Sequence, residues 1–166
     1  MLRRFVILLF ALMPVAVSAE SIVVVVNPGS GVESLNRNEV INIFLGGFRR
    51  FSSGITAIPI DLPHSDPVRE EFYRRLVGKT PSEINTYWSR LIFSGKTRPP
   101  AKAESVEIAR AMVLESVGAI TYLERGKVSE PLKIVFELPP RADEGLAFFD
   151  CFLTGEACGL SSGKVF

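Results

Sequence analysis

The chain has 166 residues, of which 47% are apolar and 22% are charged, and its 19 basic side chains nearly balance its 18 acidic ones. This composition predicts a globular protein and excludes a disordered chain and a nucleic-acid binder of the strongly basic kind. One histidine and two cysteines exclude a His-rich or four-cysteine metal site. We expect no metal and no cofactor.

The first nineteen residues have the pattern of a secretory signal peptide. Arg3 and Arg4 supply a positive start, an apolar stretch runs from Phe5 to Val17, and small residues lead to Ala19. The apolar stretch is shorter than the roughly 20 residues that a membrane-spanning helix needs, so we expect cleavage after Ala19 and no membrane span afterwards. These features predict a periplasmic protein.

From residue 20 onward the predicted elements follow the order β-α-β-α-α-α-β-β, which indicates an α/β fold with a small, mostly parallel central sheet flanked by helices. The β-branched run Ile22–Val26 is typical of a strand buried on both faces inside a parallel sheet. The further predicted strands are Ile55–Ile60, Ala119–Leu123 and Leu132–Leu138.

Four helices are predicted from capping residues and from apolar residues that fall on one helical face. The expected caps are Asn36 with Glu39, Ser65 or Asp66 before Pro67, Thr80 with Glu83, and Ser105. The residues expected to face the core are Val40, Ile43 and Phe44; Val68, Phe72 and Leu76; Ile84, Trp88, Leu91 and Ile92; and Val106, Ala109, Val113 and Leu114. The stretch from Lys96 to Lys102 is expected to be a loop.

The C-terminal part has a different character, and we place the domain at residues 20–140 and an extension at 141–166. Cys151 and Cys158 lie seven positions apart in this extension. An oxidising compartment favours a disulfide between them that would close a local loop, although two buried free thiols are the alternative.

The strand–loop–helix around Pro59–Phe72 is the best candidate for a binding site. A helix start presents free backbone N–H groups and a partial positive charge, which suits an anion. Ser65 would add a hydroxyl, Arg69 a forked donor one turn later, and Asp66 an acceptor for a protonated anion. Ordinary helix capping explains Ser65 and Asp66 equally well.

No pattern of residues indicates catalysis. His64 and Ser65 are sequence neighbours, but the chain has no G-x-S-x-G turn, and adjacent residues rarely aim at each other as base and nucleophile. The arginine pairs Arg49-Arg50 and Arg74-Arg75 are most simply solvated charges, and a patch for a partner or an anionic surface is the alternative.

Four blocks in order resemble phosphate ABC-transporter substrate-binding proteins, over Ser21 to near Leu138. The blocks are Leu35 to Gly46 with Arg49-Arg50-Phe51; Ile58-Pro59-Ile60-Asp61 through Ser65, Arg69 and Phe72; Tyr87-Trp88 with Phe93-Ser94-Gly95; and Val117-Gly118-Ala119-Ile120-Thr121-Tyr122.

This resemblance implies a type 2 periplasmic-binding-protein fold. The family members are two-lobed clamshells that hold phosphate, and all four blocks belong to the second lobe, which implies a single lobe here. Ser65 falls near the family's binding serine, in a loop that is Pro63-His64-Ser65-Asp66-Pro67 where the family has Asp-Gly-Ser-Gly-Thr.

Two functions remain open at this point. The first is a non-catalytic, solute-binding-like protein that takes phosphate or another small anion at Ser65, Asp66 and Arg69 and works with an ABC permease. The second is a ligand-free interaction or scaffold module of a cell-envelope complex. Neither function involves nucleic acid, and the absence of a catalytic constellation argues against an enzyme.

Overall fold

The computed structural model describes residues 21–95 and 97–138. Three predictions fall on residues outside these ranges and stay predictions. They are the signal peptide at 1–19, the extension at 141–166 and the disulfide between Cys151 and Cys158. The boundaries proposed for the domain, 20 and 140, lie just outside them as well.

The described residues form five strands, four α-helices and two short 3-10 helices at Pro28–Ser30 and Arg125–Lys127. The strands are β1 (Ile22–Val26), β2 (Ile58–Asp61), β3 (Ala101–Lys102), β4 (Ala119–Glu124) and β5 (Lys133–Leu138), and the helices are α1 (Arg37–Phe44), α2 (Pro67–Val77), α3 (Pro81–Phe93) and α4 (Val106–Glu115). The predicted α/β class is confirmed. The prediction of a plain loop from Lys96 to Lys102 was wrong, because its last two residues form β3, and β2 begins three residues later than expected.

The sheet has the strand order β3-β2-β4-β1-β5. β2 pairs in parallel with β3 and β4, whereas β1 pairs antiparallel with β4 and β5. Four strands therefore run in one direction and β1 alone is reversed, which confirms a mostly parallel sheet. β1 is buried along its whole length as predicted, but it does not lie between parallel neighbours. Burial on both faces produces an unbroken apolar run in either direction, so the run could not reveal the reversal.

Local sequence determines where the helices begin. Asn36 and Glu39 form the predicted capping box before α1, and Thr80 and Glu83 form the one before α3. Ser105 caps α4 as predicted. Asp66, rather than Ser65, caps α2, and Gly78 ends that helix in the left-handed conformation.

Two of the residues predicted to face the core are exposed instead. Leu114 is 41% exposed because it follows the buried Val113 by one position, or about 100° around the helix. Ile92 is 55% exposed. It is the third member of a series with Ile84 and Trp88, and a four-residue step advances about 40° beyond a full turn, so the series drifts away from the core.

No helix in the described part of the chain is long and apolar enough to cross a bilayer.

Candidate functional site

The loop between β2 and α2 lies at the carboxyl edge of the parallel strands. In open α/β sheets this edge is where ligands bind. α4 begins at the same edge, since it follows β3, and the Ala103 N–H donates to the Asp61 carbonyl at 3.0 Å. Two helices, capped by Asp66 and Ser105, therefore begin just after neighbouring strands of the sheet.

Ser65 and Asp66 lie together at the surface of this loop. The Ser65 side chain is exposed, and Asp66 is half-buried. Oδ1 of Asp66 accepts a hydrogen bond of 2.9 Å from the Val68 N–H, and Pro67 has no N–H to offer. The carboxylate of Asp66 thus already occupies the start of α2. An anion beside Ser65 would meet a hydrogen-bond acceptor there as well as a hydroxyl donor.

Arg69, the third predicted site residue, points into the protein. It is 2% exposed, and its Nε donates to Oδ2 of Asp61 at 2.9 Å. Its Nη2 reaches the side-chain oxygen of Asn85 at 3.4 Å, and its guanidinium lies 5.3 Å from the centre of the Tyr73 ring. Nη1 is buried and has no hydrogen-bond partner among the described residues. The structure therefore places this cation below the loop, apart from the surface pair Ser65 and Asp66.

Asp61 is the centre of the buried network, and sequence reasoning missed its role. The Tyr122 hydroxyl donates a close hydrogen bond to Oδ1 of Asp61, and the same hydroxyl oxygen accepts from the Leu62 N–H at 3.4 Å. A signal was present: a lone aspartate directly after the apolar residues of β2 needs partners if its strand is buried. Asp61 joins the end of β2 to the first turns of α2 through Arg69 and to β4 through Tyr122.

Both buried tyrosines in this network stay neutral. Burial raises the pKa of Tyr122 well above its usual value, and the nearby charge of Asp61 adds to the effect. Burial raises the pKa of Tyr73 in the same way, again with Asp61 contributing. The Tyr73 hydroxyl nevertheless has no hydrogen-bond partner in the described part of the chain.

Aromatic packing holds Tyr122 in place. Its ring stacks on Phe72 with centroids 3.7 Å apart and planes only 5° from parallel. Phe44 meets both rings edge-on, at 5.0 Å from Phe72 and 5.6 Å from Tyr122. Because these rings come from α1, α2 and β4, the hydroxyl that contacts Asp61 is fixed by the core.

Several cations lie near the loop, and the carboxylates of Asp61 and Asp66 lie among them. Partial burial lowers the pKa of His64, and the charges of Arg69 and Lys102 lower it further. A hydrogen bond to Glu124 raises the pKa of Lys127, and the charge of Asp66 also contributes. The loop thus has cations on several sides.

No group of three or more His, Cys, Asp or Glu side chains within residues 21–95 and 97–138 could hold a metal ion.

The sequence matches no protein-family model and no curated protein. The fold, in contrast, resembles solved structures. An ABC-type phosphate transport receptor from Vibrio cholerae aligns over 70% of this chain and 45% of its own, with a TM-score of 0.56 and 15% identity.

A protein from Clostridium perfringens, assigned as a phosphate ABC transporter substrate-binding protein and solved with bound phosphate, aligns over 72% of this chain and 46% of its own, with a TM-score of 0.56 and 12% identity. A possible phosphate-binding protein from Planctomyces limnophilus aligns over 86% of this chain and 51% of its own, with a TM-score of 0.52 and 15% identity.

The fold is that of a single periplasmic-binding-protein-like lobe. The predicted fold is therefore confirmed, and at these identities the likeness concerns the fold alone. The chain spans about half the length of the solved structures that it matches.

Proposed function

We propose that this lobe is a non-catalytic, solute-binding-like protein of the periplasm that holds phosphate or a similar small oxyanion at the loop between β2 and α2. It works with an ABC permease or another envelope protein. The observation that carries the proposal is the pair of exposed Ser65 and half-buried Asp66, which lies at the carboxyl edge of the sheet near the buried cation of Arg69. The fold likeness to phosphate-binding proteins supports the same conclusion.

Each residue has a distinct role in this proposal. The Ser65 hydroxyl donates to an oxygen of the anion, and Asp66 accepts a hydrogen bond from an O–H group of the anion. Arg69 supplies positive charge from below. Because Asp66 can only accept while it is ionised, the site favours an oxyanion that still carries a proton at neutral pH. Phosphate does so and sulfate does not.

The single histidine of the sequence offers a direct measurement. His64 is adjacent to Ser65, and a bound anion stabilises its protonated form. We expect added phosphate to raise the pKa of His64 and added sulfate to raise it much less. The pKa is measured by NMR of this single imidazole ring, in a buffer that itself contains no phosphate. Isothermal calorimetry on the same samples gives the dissociation constant.

Two variants separate a specific site from a general effect of charge. Ser65→Ala removes one hydrogen bond and should weaken phosphate binding about fivefold, since such a bond contributes about 1 kcal/mol. Ser82→Ala, an exposed serine on α3, is the matched control and should change nothing. If calorimetry shows no heat and the pKa of His64 does not move with phosphate, the oxyanion proposal is overturned.

One observation favours the second function, a ligand-free envelope module. Asp66 occupies the start of α2 and Arg69 is held by Asp61, so two groups that would serve an anion already have internal partners. A lobe that fails to bind phosphate but co-purifies from the envelope with a permease would support this alternative.

A further inference from the structure

Two stretches of the chain, residues 40–57 and 84–100, contain no acidic residue, although the whole chain has 18. They contain five basic residues, namely Arg49, Arg50, Arg90, Lys96 and Arg98. The remaining chain is accordingly acidic on balance. The charge of this nearly neutral protein is thus unevenly distributed along its sequence.

The two stretches come together in space. Nη2 of Arg49 donates to the Arg98 carbonyl at 2.6 Å, and the Tyr87 hydroxyl donates to the Leu45 carbonyl at 2.7 Å. The Arg49 guanidinium also lies 5.7 Å from the centre of the Trp88 ring. We call the surface formed by residues 40–57 and 84–100 the acid-free end.

The exposed arginines of the acid-free end form no salt bridge among the described residues. Arg50, Arg90 and Arg98 are exposed, and none of them forms a salt bridge with a residue that the structure describes. The salt bridges that the described residues form lie elsewhere, and their basic members are Arg69, Arg74, Arg75, Lys79, Arg125, Lys127 and Lys133. The acid-free end thus carries positive charge that no salt bridge among the described residues compensates.

Large apolar side chains are exposed in both stretches of the acid-free end. Phe93, the last residue of α3, is 96% exposed, Ile92 beside it is 55% exposed, and Phe48 in the other stretch is 63% exposed. A phenylalanine left in water forgoes the stabilisation that burial would give, so exposed side chains of this size indicate a binding surface.

We propose that the acid-free end docks on an anionic phospholipid surface. Phe93 and Ile92 enter the boundary between headgroups and acyl chains, and Arg90 and Arg98 contact lipid phosphates. Side chains that protrude among unpaired cations match the way interfacial segments bind lipid. A second copy of the chain fits poorly, because a symmetric contact would place the unpaired arginines against each other. This proposal is independent of oxyanion binding.

Vesicle co-sedimentation tests the proposal with the protein recovered after export and checked by mass for loss of residues 1–19. We expect binding to vesicles of phosphatidylglycerol and phosphatidylcholine, little binding to phosphatidylcholine alone, and a decrease as salt is raised. The double variant Arg90→Gln/Arg98→Gln should bind about 25-fold more weakly, or about fivefold per charge removed. Phe93→Ser should weaken binding about tenfold, because a phenyl group no longer leaves water.

Ile108→Ser provides the matched control, since Ile108 is 47% exposed on α4, outside the acid-free end. It should bind as the parent does, and circular dichroism should show all variants folded. The proposal is overturned if the protein does not bind phosphatidylglycerol vesicles, or if Ile108→Ser and Phe93→Ser weaken binding equally. Analytical ultracentrifugation that shows a dimer, and a monomer for Phe93→Ser, would also overturn it and would assign the surface to a second copy.

Discussion

The Nε atom of Arg69 lies 2.9 Å from Oδ2 of Asp61, and the two side chains are only 3% and 7% exposed. This pair ties the end of β2 to the first turns of α2, so it fixes both ends of the loop that carries Ser65. The candidate site therefore rests on an ion pair that solvent and salt screen weakly.

Breaking this pair from one side should be costly. We expect Arg69→Met alone to lower the free energy of unfolding by about 3–5 kcal/mol, because it leaves the Asp61 carboxylate buried without its cation. The double variant Asp61→Leu/Arg69→Met removes both charges and should be more stable than either single variant. Urea unfolding of all four proteins measures the coupling. Strictly additive losses would contradict the interpretation of a coupled buried pair.

The two buried tyrosines should respond differently to the same substitution. Tyr122→Phe removes a donor to Asp61, so we expect a loss of about 1–3 kcal/mol. Tyr73→Phe removes a buried hydroxyl that has no partner among the described residues, so it should leave stability within about 0.5 kcal/mol of the parent or raise it. Each variant is the control for the other, and equal losses in urea unfolding would refute this assignment.

Gly118, immediately before β4, has no room for a side chain. A Cβ atom there would lie 2.3 Å from the Thr56 carbonyl oxygen, and the Gly118 carbonyl accepts from the Ile58 N–H at 2.8 Å. We expect Gly118→Ala to cost about 1–3 kcal/mol through displaced backbone. Gly54→Ala, in open space but at φ 85°, should cost about 1 kcal/mol from strain alone. Thermal unfolding compares the two, and a neutral Gly118→Ala would show that this turn can move.

Glu83 should make the protein's stability depend on pH in acid. Hydrogen bonds from Lys79 and from the backbone and hydroxyl of Thr80 lower the pKa of Glu83 to about 2. Since the folded state holds this proton less tightly than the unfolded chain, the stabilisation is complete above pH 4.5 and is lost as the pH falls toward 2. Glu83→Gln should therefore melt at a lower temperature than the parent at pH 7, and the difference should shrink below pH 4.5. A difference that stays constant from pH 7 to pH 3 would mean that the charge is not responsible.

Features with local causes could be predicted from the sequence. The capping boxes Asn36 with Glu39 and Thr80 with Glu83 involve residues three positions apart, so their pattern contains all the necessary information. β3 contains only an alanine and a lysine, and it exists because β2 lies beside it. No local pattern predicts such a strand.

The candidate site divides in the same way. Ser65 and Asp66 lie where the sequence places them, since a helix start is a local feature. The direction of the Arg69 side chain depends on Asp61 on the preceding strand and on Tyr122, which lies 61 positions after Asp61. Distant pairings of this kind require the strand order β2-β4, which hydrophobic patterns do not specify.

Ile22 in β1 lies between Glu124 in β4 and Leu138 in β5. A small pocket that contains Ile22 and Glu124 also includes Pro67 and Val68 of α2, so Leu138 ends at the edge of the sheet that carries Ser65. The end of β5 therefore shares this edge of the sheet with the candidate site.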